Sequence, residues 1–368
     1  MNIVFAAGGT GGHFIPAMNV AREIRRANPD ARLLFMGTGK PFELEACRRE
    51  NIELMKIPSA PLRRGTITSN ILLPVETFIG MIRAAKKMIH LRTDVLVSMG
   101  GYPSVPPFLS ARILGIPSLV HEQNAEPGVA SKLESFLSND VCLSYERSRS
   151  YIRGVGNVTV TGNPSTPSLE EVTEAKQKRK ASGPNLLVLG GSQGAHALNE
   201  VVTKYLLETE ADLWEQVYFQ TGHPDCESVR DRLSGCGKTI IIEPFFYDMK
   251  EIYVNVDVAV TRAGATTIAE LSGWGVPSVL VPYPYSTGGH QNKNAEMMAA
   301  AGAAILVEQS LFNHRRLGRL MESIVGDRKK WESMSEAAAG LARHDAARDV
   351  ALKVLNLAGS KKRRGIDS

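Results

Sequence analysis

The sequence predicts an α/β protein of two domains with mainly parallel sheets and a cleft between them. Two observations carry this. The chain opens on the apolar run Ile3-Val4-Phe5-Ala6-Ala7, the glycine-dense turn Gly8-Gly9-Thr10-Gly11-Gly12-His13, and an apolar-periodic stretch reaching Ile24. Far down the chain it does so again, with Leu186-Leu187-Val188-Leu189, then Gly190-Gly191-Ser192-Gln193-Gly194-Ala195 and a second helical pattern. Around these openings short apolar runs alternate with helical periodicity, as in βα units. A length of 368 residues fits two such domains.

Glycine at a strand-to-helix turn lets the backbone approach a ligand, and the helix behind it turns unpaired N–H groups toward an anion. Neither loop is the dinucleotide fingerprint. Phe14 stands where the third glycine of G-x-G-x-x-G belongs, and the second loop lacks the middle one. Gly39-Lys40 is followed by Pro41, so no P-loop forms there either. Such loops also occur as plain turns without a ligand, and only their context decides.

Composition narrows the function classes. The net charge of +5, from 43 basic and 38 acidic residues, does not indicate a nucleic-acid binder. Cys47, Cys142, Cys226 and Cys236 are scattered and form no C-x-x-C pair, which fits a reducing compartment. No basic n-region or cleavable signal pattern precedes the first strand. No apolar run reaches the roughly 18 residues of a spanning helix. A soluble or peripheral protein is expected.

In the first half, the periodicity predicts a helix over 16–27, a strand over 31–36, a helix over 42–51 and a strand over 52–57. The basic turn Pro61-Leu62-Arg63-Arg64-Gly65 interrupts this alternation. Over 70–91, Ile71, Val75, Phe78, Ile82, Ala85 and Ile89 follow one helix face. Leu72 and Ile79 widen that face, and Arg83, Lys86 and Lys87 gather at its later end. Two readings stand: a core helix with a solvated basic edge, or an apolar shelf with a cationic rim on an anionic membrane surface. The strand 94–99 delivers Gly100-Gly101-Tyr102-Pro103-Ser104 at its carboxyl end, where open parallel sheets bind ligands. A helix over 105–114 leads to the strand 118–121 and the polar cluster His121-Glu122-Gln123-Asn124, either ligand-facing or engaged in caps and turns. Strand-like runs at 140–143 and 158–161 close the half at Gly162-Asn163-Pro164.

Residues 170–184 read as a linker with an exposed helix. The domains are then 1–169 and 185–357, with a basic, disordered tail over 358–368. In the second half, strands are expected at 186–189, 215–220 and 239–243. The strand 256–261 runs into Arg262-Ala263-Gly264-Ala265-Thr266-Thr267, a helix through Glu270 and a strand over 278–281. After the loop 282–289, His290-Gln291-Asn292-Lys293-Asn294 opens another helix. Gly264 frees the backbone, Thr266 and Thr267 can cap and donate, and the helix N-terminus favours negative charge. Glu270, one turn in, can accept two ribose hydroxyls, or can be a surface carboxylate favoured by the helix dipole.

These runs, in this order and over residues 2–357, resemble the MurG family. Its enzymes transfer N-acetylglucosamine from UDP to a lipid-linked muramyl-pentapeptide in peptidoglycan synthesis. The resemblance rests on residues 8–13, 100–102, 121–124, 162–164, 190–195 with Asn199, 262–265, and His290-Gln291 with Asn294. It implies a GT-B glycosyltransferase with two Rossmann-like domains, inverting, with no cofactor and no metal. The first domain would take the acceptor, undecaprenyl-diphosphate-linked MurNAc-pentapeptide. The second would take UDP-GlcNAc, and the last helices would cross back to the first. The face at 71–87 matches the family's membrane-facing patch, which implies an anionic membrane surface as partner and a peripheral place on the cytoplasmic side of the cell membrane. A cell-wall synthesis or division complex is left open.

Carried over by position, Thr10, Gly11 and Gly12 lie near the transferred sugar and the acceptor pyrophosphate, with His13 as general base. Asn124 would touch the sugar. Ser192, Gln193 and Gly194 would meet the donor diphosphate, and Gly264, Ala265 and Thr266 would add a helix N-terminus. Phe246 would read uracil through its backbone, Glu270 would hold the ribose diol, and Gln291 would hold a sugar hydroxyl. Tyr102, His121, Glu122 and Thr166 fall on the acceptor side. One departure matters: Ser165-Thr166-Pro167 replaces the arginine that the family commonly carries there, which shifts diphosphate load to Arg262 or the helix N-terminus. The chemistry of the residues agrees. No D-x-D pair stands at a strand end, so N–H groups would meet the leaving charge. His13 can accept a proton near neutral pH, or can donate to phosphate. A UDP-sugar epimerase or hydrolase, and a non-catalytic nucleotide-sugar binder, are the rival readings.

Overall fold

The computed structural model describes residues 1–60, 73–154, 156–179, 183–191, 194–208, 213–246 and 248–364. They divide into two compact units, Met1–Ser165 with the segment from Asp345 onward, and Thr166–His344.

Unit 1 is built on a parallel sheet of β1 (Asn2–Ala6), β2 (Arg32–Gly37), β3 (Glu53–Lys56), β4 (Val95–Ser98), β5 (Ser118–Glu122), β6 (Asp140–Leu143) and β7 (Asn157–Val160). Its strand order is β3-β2-β1-β4-β5-β6-β7. The central strands are apolar along their whole length because helices cover both faces. The helices are α1 (Gly11–Ala27), α2 (Pro41–Arg49), α3 (Leu73–Leu91), α4 (Val105–Ile113) and α5 (Val129–Leu137). In unit 2, α6 (Leu169–Lys176), α7 (His196–Glu208), α8 (Cys226–Leu233), α9 (Met249–Asn255), α10 (Ala265–Trp274), α11 (His290–Ala300), α12 (His314–Val325) and α13 (Arg328–Gly340) surround a second parallel sheet. That sheet consists of β8 (Asn185–Leu189), β9 (Gln216–Gln220), β10 (Ile240–Glu243), β11 (Val258–Thr261), β12 (Ser278–Leu280) and β13 (Ala304–Leu306), in the order β10-β9-β8-β11-β12-β13. In both sheets the strand order reverses beside the strand that feeds a glycine loop, at β1/β4 and β8/β11. Such switch points are where open α/β sheets bind ligands.

The last helix, α14 (Ala346–Arg364), belongs to unit 1. Its Val350, Ala351, Val354 and Ala358 join a core with Ala17, Val20, Ala21 and Ile24 of α1. Small residues at facing positions let the two helices approach closely. The helix therefore runs through the start of the stretch expected to be a disordered tail. The expected linker also differs. Leu169–Lys176 is a helix with a capping box between Ser168 and Glu171, and its Val172 and Ala175 enter the unit 2 core. Near the amino terminus, α1 starts at Gly11 rather than at Pro16, because the Phe14 N–H already closes a turn on the Thr10 carbonyl. Pro16 deletes one bond inside that helix without ending it.

In α3 the buried positions are Gly80, Ala84, Met88 and Leu91. A Cβ on Gly80 would collide with the Pro58 carbonyl and press on Pro106, so this small face lets α4 come close. The large side chains point outward instead. Phe78 is 62% exposed, Ile79 and Ile82 are 42% each, and Val75 and Ile89 are also exposed. Arg83 and Lys86 are exposed beside them, whereas Lys87 pairs with Glu53 at 2.5 Å. The core-helix reading of this face is thereby excluded. Ile71 and Leu72 lie outside the described residues.

Candidate functional site

Unit 1 gathers its candidate site residues at the carboxyl ends of β1, β4 and β5. Gly9 takes a left-handed φ of +82°, and a Cβ on it would sit 3.1 Å from the Tyr102 ring. Gly101, at φ +79°, faces the His13 ring in the same way, at 3.3 Å. The two glycine loops thus bring Thr10, Gly11, Gly12, His13 and Tyr102 together. Thr10 Oγ1 and His13 Nδ1 lie 2.9 Å apart. Burial and the Glu43 charge raise the Tyr102 phenol above its ordinary pKa, so it remains a hydroxyl donor.

Two buried acids, neither expected from the sequence as part of the site, shape these loops. Glu43 of α2 is fully buried. It accepts the N–H of Gly9 at 2.7 Å, of Thr38 at 2.9 Å and of Gly39 at 2.8 Å, together with the Thr38 hydroxyl at 2.7 Å. Lys40 Nζ donates to the Gly9 carbonyl at 2.6 Å. The Gly9 N–H is therefore spent on an internal carboxylate, not offered to a ligand anion. Glu134 of α5 accepts the hydroxyls of Ser98 at 2.6 Å and Ser104 at 2.5 Å, and the Gly100 N–H donates to Ser98. Burial pushes the Glu134 carboxyl up to about 7, opposed by the two serines and reinforced by the Glu122 charge.

The cluster after β5 splits into interior and surface. His121 is fully buried, with Nε2 bonded to the Gly162 carbonyl at 2.9 Å and Nδ1 3.2 Å from the Gln123 amide. Burial lowers its pKa to about 4, so it is neutral near pH 7. Glu122 is buried as well, accepting the Asn124 N–H at 2.8 Å, the Asn124 side-chain amide at 2.9 Å and the Gly128 N–H at 3.1 Å. These two residues, expected on the acceptor side, hold the loop 122–128 from inside, and Asn124 is the half-exposed member. Thr166 opens unit 2, where its methyl packs over Gly273 of α10.

In unit 2 the second glycine loop follows β8. Gly194, at φ +79°, admits no Cβ because the Thr221 carbonyl would lie 2.6 Å away. Ser192 and Gln193 are outside the described residues. Gln220, at the end of β9, accepts the Phe246 N–H at 2.9 Å and donates to the Gly191 carbonyl at 3.3 Å. The Phe246 ring is in the core, edge-on to Tyr218, and its backbone N–H is already engaged.

Gly264 caps α10, and Ala265 and Thr266 form its first turn. Glu270 follows, half-buried, with Tyr253 donating its hydroxyl to Oε2 at 3.0 Å. Withdrawal from water pushes the Glu270 carboxyl up to about 7 despite that bond. Arg262 is buried and committed elsewhere than expected: Nη1 donates to the carbonyls of Val281 at 3.0 Å and Pro282 at 3.3 Å, and Nη2 to Gln309 at 2.7 Å. It braces the loop after β12, with its guanidinium 5.6 Å from the Tyr283 ring centre. Gln291 accepts the Tyr283 N–H at 2.8 Å through its side-chain oxygen, so its NH₂ group points away from that bond. Among the described residues, no group of three or more His, Cys, Asp or Glu is arranged to hold a metal ion.

The glycosyltransferase family 28 N-terminal domain matches residues 3–142, and its C-terminal domain matches residues 185–350. A UDP-N-acetylglucosamine--N-acetylmuramyl-(pentapeptide) pyrophosphoryl-undecaprenol N-acetylglucosamine transferase of Chlorobium limicola is 35% identical over 367 residues, covering 97% of this chain and 100% of that one. The enzyme of the same description from Listeria monocytogenes is 33% identical, covering 97% and 99%. The crystal structure of Acinetobacter baumannii MurG superposes with a TM-score of 0.74 at 28% identity, over 96% of this chain and 99% of that one. The chain belongs to the MurG family.

It is a glycosyltransferase with the two parallel α/β domains of the GT-B fold. A UDP-GlcNAc 2-epimerase from Neisseria meningitidis, bound to UDP-GlcNAc, has a TM-score of 0.69 at 14% identity and shares the fold alone. Within the MurG frame, Glu43, Glu134, Gln220 and Tyr253 are the site-shaping residues that sequence reasoning missed. One signal was available. Asp248 precedes Glu251 by three residues and accepts its N–H, the start pattern of the short helix that carries Tyr253. Glu43 and Glu134 carry no such mark, since a helix glutamate ordinarily faces water.

Proposed function

We infer from the site geometry which residues carry the reaction of this MurG enzyme. The chain transfers N-acetylglucosamine from UDP-GlcNAc to lipid I, giving lipid II and UDP. The acceptor's C4 hydroxyl attacks the sugar's anomeric carbon opposite the nucleotide, so that the configuration inverts. Its proton passes to His13, and the bond to the diphosphate breaks with both electrons going to UDP. The first turn of α10, Gly264 to Thr266, faces the growing negative charge, with Ser192, Gln193 and Gly194 on the other loop. The Phe246 carbonyl reads uracil, Gln291 holds a sugar hydroxyl through its NH₂, and Glu270 holds the ribose. Thr10, Gly11, Gly12, Tyr102 and Asn124 line the acceptor and sugar side.

The observation that carries the donor assignment is Glu270: a half-buried carboxylate just past a helix N-terminus, held by one interior donor at Oε2. Replacing it with glutamine keeps the shape and removes the charge. A charge-assisted bond is worth about 1.5–3 kcal/mol, so UDP affinity measured by calorimetry should fall about ten- to hundredfold. An unchanged affinity in a folded variant sinks the assignment.

The outward face of α3 supports a peripheral place on an anionic membrane surface, where the lipid acceptor resides. Phe78, Ile79 and Ile82 would enter the headgroup boundary, with Arg83 and Lys86 at its rim. No helix among the described residues is long and apolar enough to cross a membrane.

A further inference from the structure

Tyr253 has no place in the chemistry described above, yet it is the interior group that touches Glu270. It sits on α9 with 3% of its surface exposed, and its ring stacks on Trp274 at 6.2 Å and an interplanar angle of 14°. Trp274 lies one turn after Glu270 on α10, so ring and hydroxyl grip the same helix at two successive turns. The hydroxyl donates to Glu270 Oε2 at 3.0 Å. Burial and the Glu270 charge both hold the phenol protonated, so it stays a donor. The helices α6, α9, α11 and α13 pack against α10. Among the described titratable groups on them, Tyr253 is the one bonded to Glu270, and its bond favours the ionised carboxylate.

We propose that Tyr253 is a positioning residue for donor binding: by holding Oε2 it presents the other carboxylate oxygen to the ribose diol and sets the pH range in which nucleotide binds tightly. The proposal rests on the donor-site reading of Glu270. A buried phenol that merely satisfies its own hydroxyl predicts neither effect. With the bond in place, the carboxylate stays charged down to a lower pH, and one rotamer survives. Without it, burial acts unopposed, the carboxyl protonates at a higher pH, and the diol meets a weaker, wandering acceptor.

The test compares the full chain with Tyr253→Phe, which keeps the ring and its stacking, and with Glu270→Gln. UDP and 2′-deoxy-UDP are titrated by calorimetry from about pH 6 to pH 9, a range that spans the carboxyl's protonation. The variant-to-wild-type ratio at each pH cancels the titration of the diphosphate itself. For Tyr253→Phe, UDP affinity should fall about five- to twentyfold near neutral pH and recover toward wild type as pH rises. Its preference for UDP over 2′-deoxy-UDP should shrink by a similar factor. A loss that is equal at every pH with the preference intact, or no loss at all, overturns the proposal while Glu270→Gln still weakens UDP. If Glu270→Gln binds UDP normally, the donor-site reading falls first and the proposal falls with it.

Discussion

Thr10 Oγ1 and His13 Nδ1 lie 2.9 Å apart across the first turn of α1, and the direction of that bond decides what His13 can do. If Nδ1–H donates to Thr10, the lone pair is on Nε2 and the ring can take a proton from the acceptor hydroxyl. If Thr10 donates, Nε2 carries the hydrogen and the ring can only donate, for instance to phosphate.

The base assignment therefore predicts a graded series. His13→Ala should lower turnover by roughly two to four orders of magnitude, and Thr10→Val by about tenfold through a misoriented ring. Neither should change UDP affinity by more than about threefold, since both side chains sit in unit 1 rather than on the nucleoside. Steady-state kinetics beside UDP titration checks this. If His13→Ala loses UDP binding heavily while turning over near-normally at saturating donor, His13 is a phosphate-side donor.

Glu134 predicts a pH dependence of stability. Its carboxyl titrates near the ordinary 4.5 when unfolded and at about 7 when folded. Between those values the folded protein holds a proton that the unfolded chain has released. Its contribution is complete below about pH 4.5 and is lost as pH rises through about 7. Glu134→Gln cannot titrate, so its melting temperature should fall less than wild type's between pH 5 and pH 8, by about 2–4 °C. Parallel curves would show that the two serines keep Glu134 ionised throughout. Gly100 and Gly101 stand on this network, so kcat should also decline with the wild-type transition.

The exposed face of α3 gives a prediction that leaves the core untouched. Phe78→Ser with Ile82→Ser removes two outward side chains, and stability should change by no more than about 0.5 kcal/mol for each. Sedimentation with vesicles of anionic phospholipid should drop severalfold, and UDP affinity should stay as it was. Equal sedimentation of variant and wild type would remove the membrane role of this face.

The sequence by itself determined the architecture and the ligand class. Residues 8–13 and 190–195 mark two strand–turn–helix openings because only glycine tolerates the left-handed φ at Gly9 and Gly194 and the crowding found there. The run from Arg262 to Glu270 announces a helix N-terminus with an acid one turn in, which is a local pattern and hence readable. Tertiary structure decided which of the candidate polar residues are bound up with the protein itself. His121, Glu122 and Arg262 looked like site residues on type and position alone. His121 and Arg262 meet Gly162 and Gln309, which come from elements distant in sequence, whereas Glu122 bonds back onto its own loop at Asn124 and Gly128; burial turns each of the three inward. Glu43, Glu134 and Tyr253 show the converse. Each joins the site through a contact that spans tens of residues or two separate helices, and no local spacing encodes such a contact. The same holds for α3, whose core face is the small one because Gly80 admits Pro58 and Pro106. Periodicity reports that a helix has an apolar face; only packing reports which face the core has room to take.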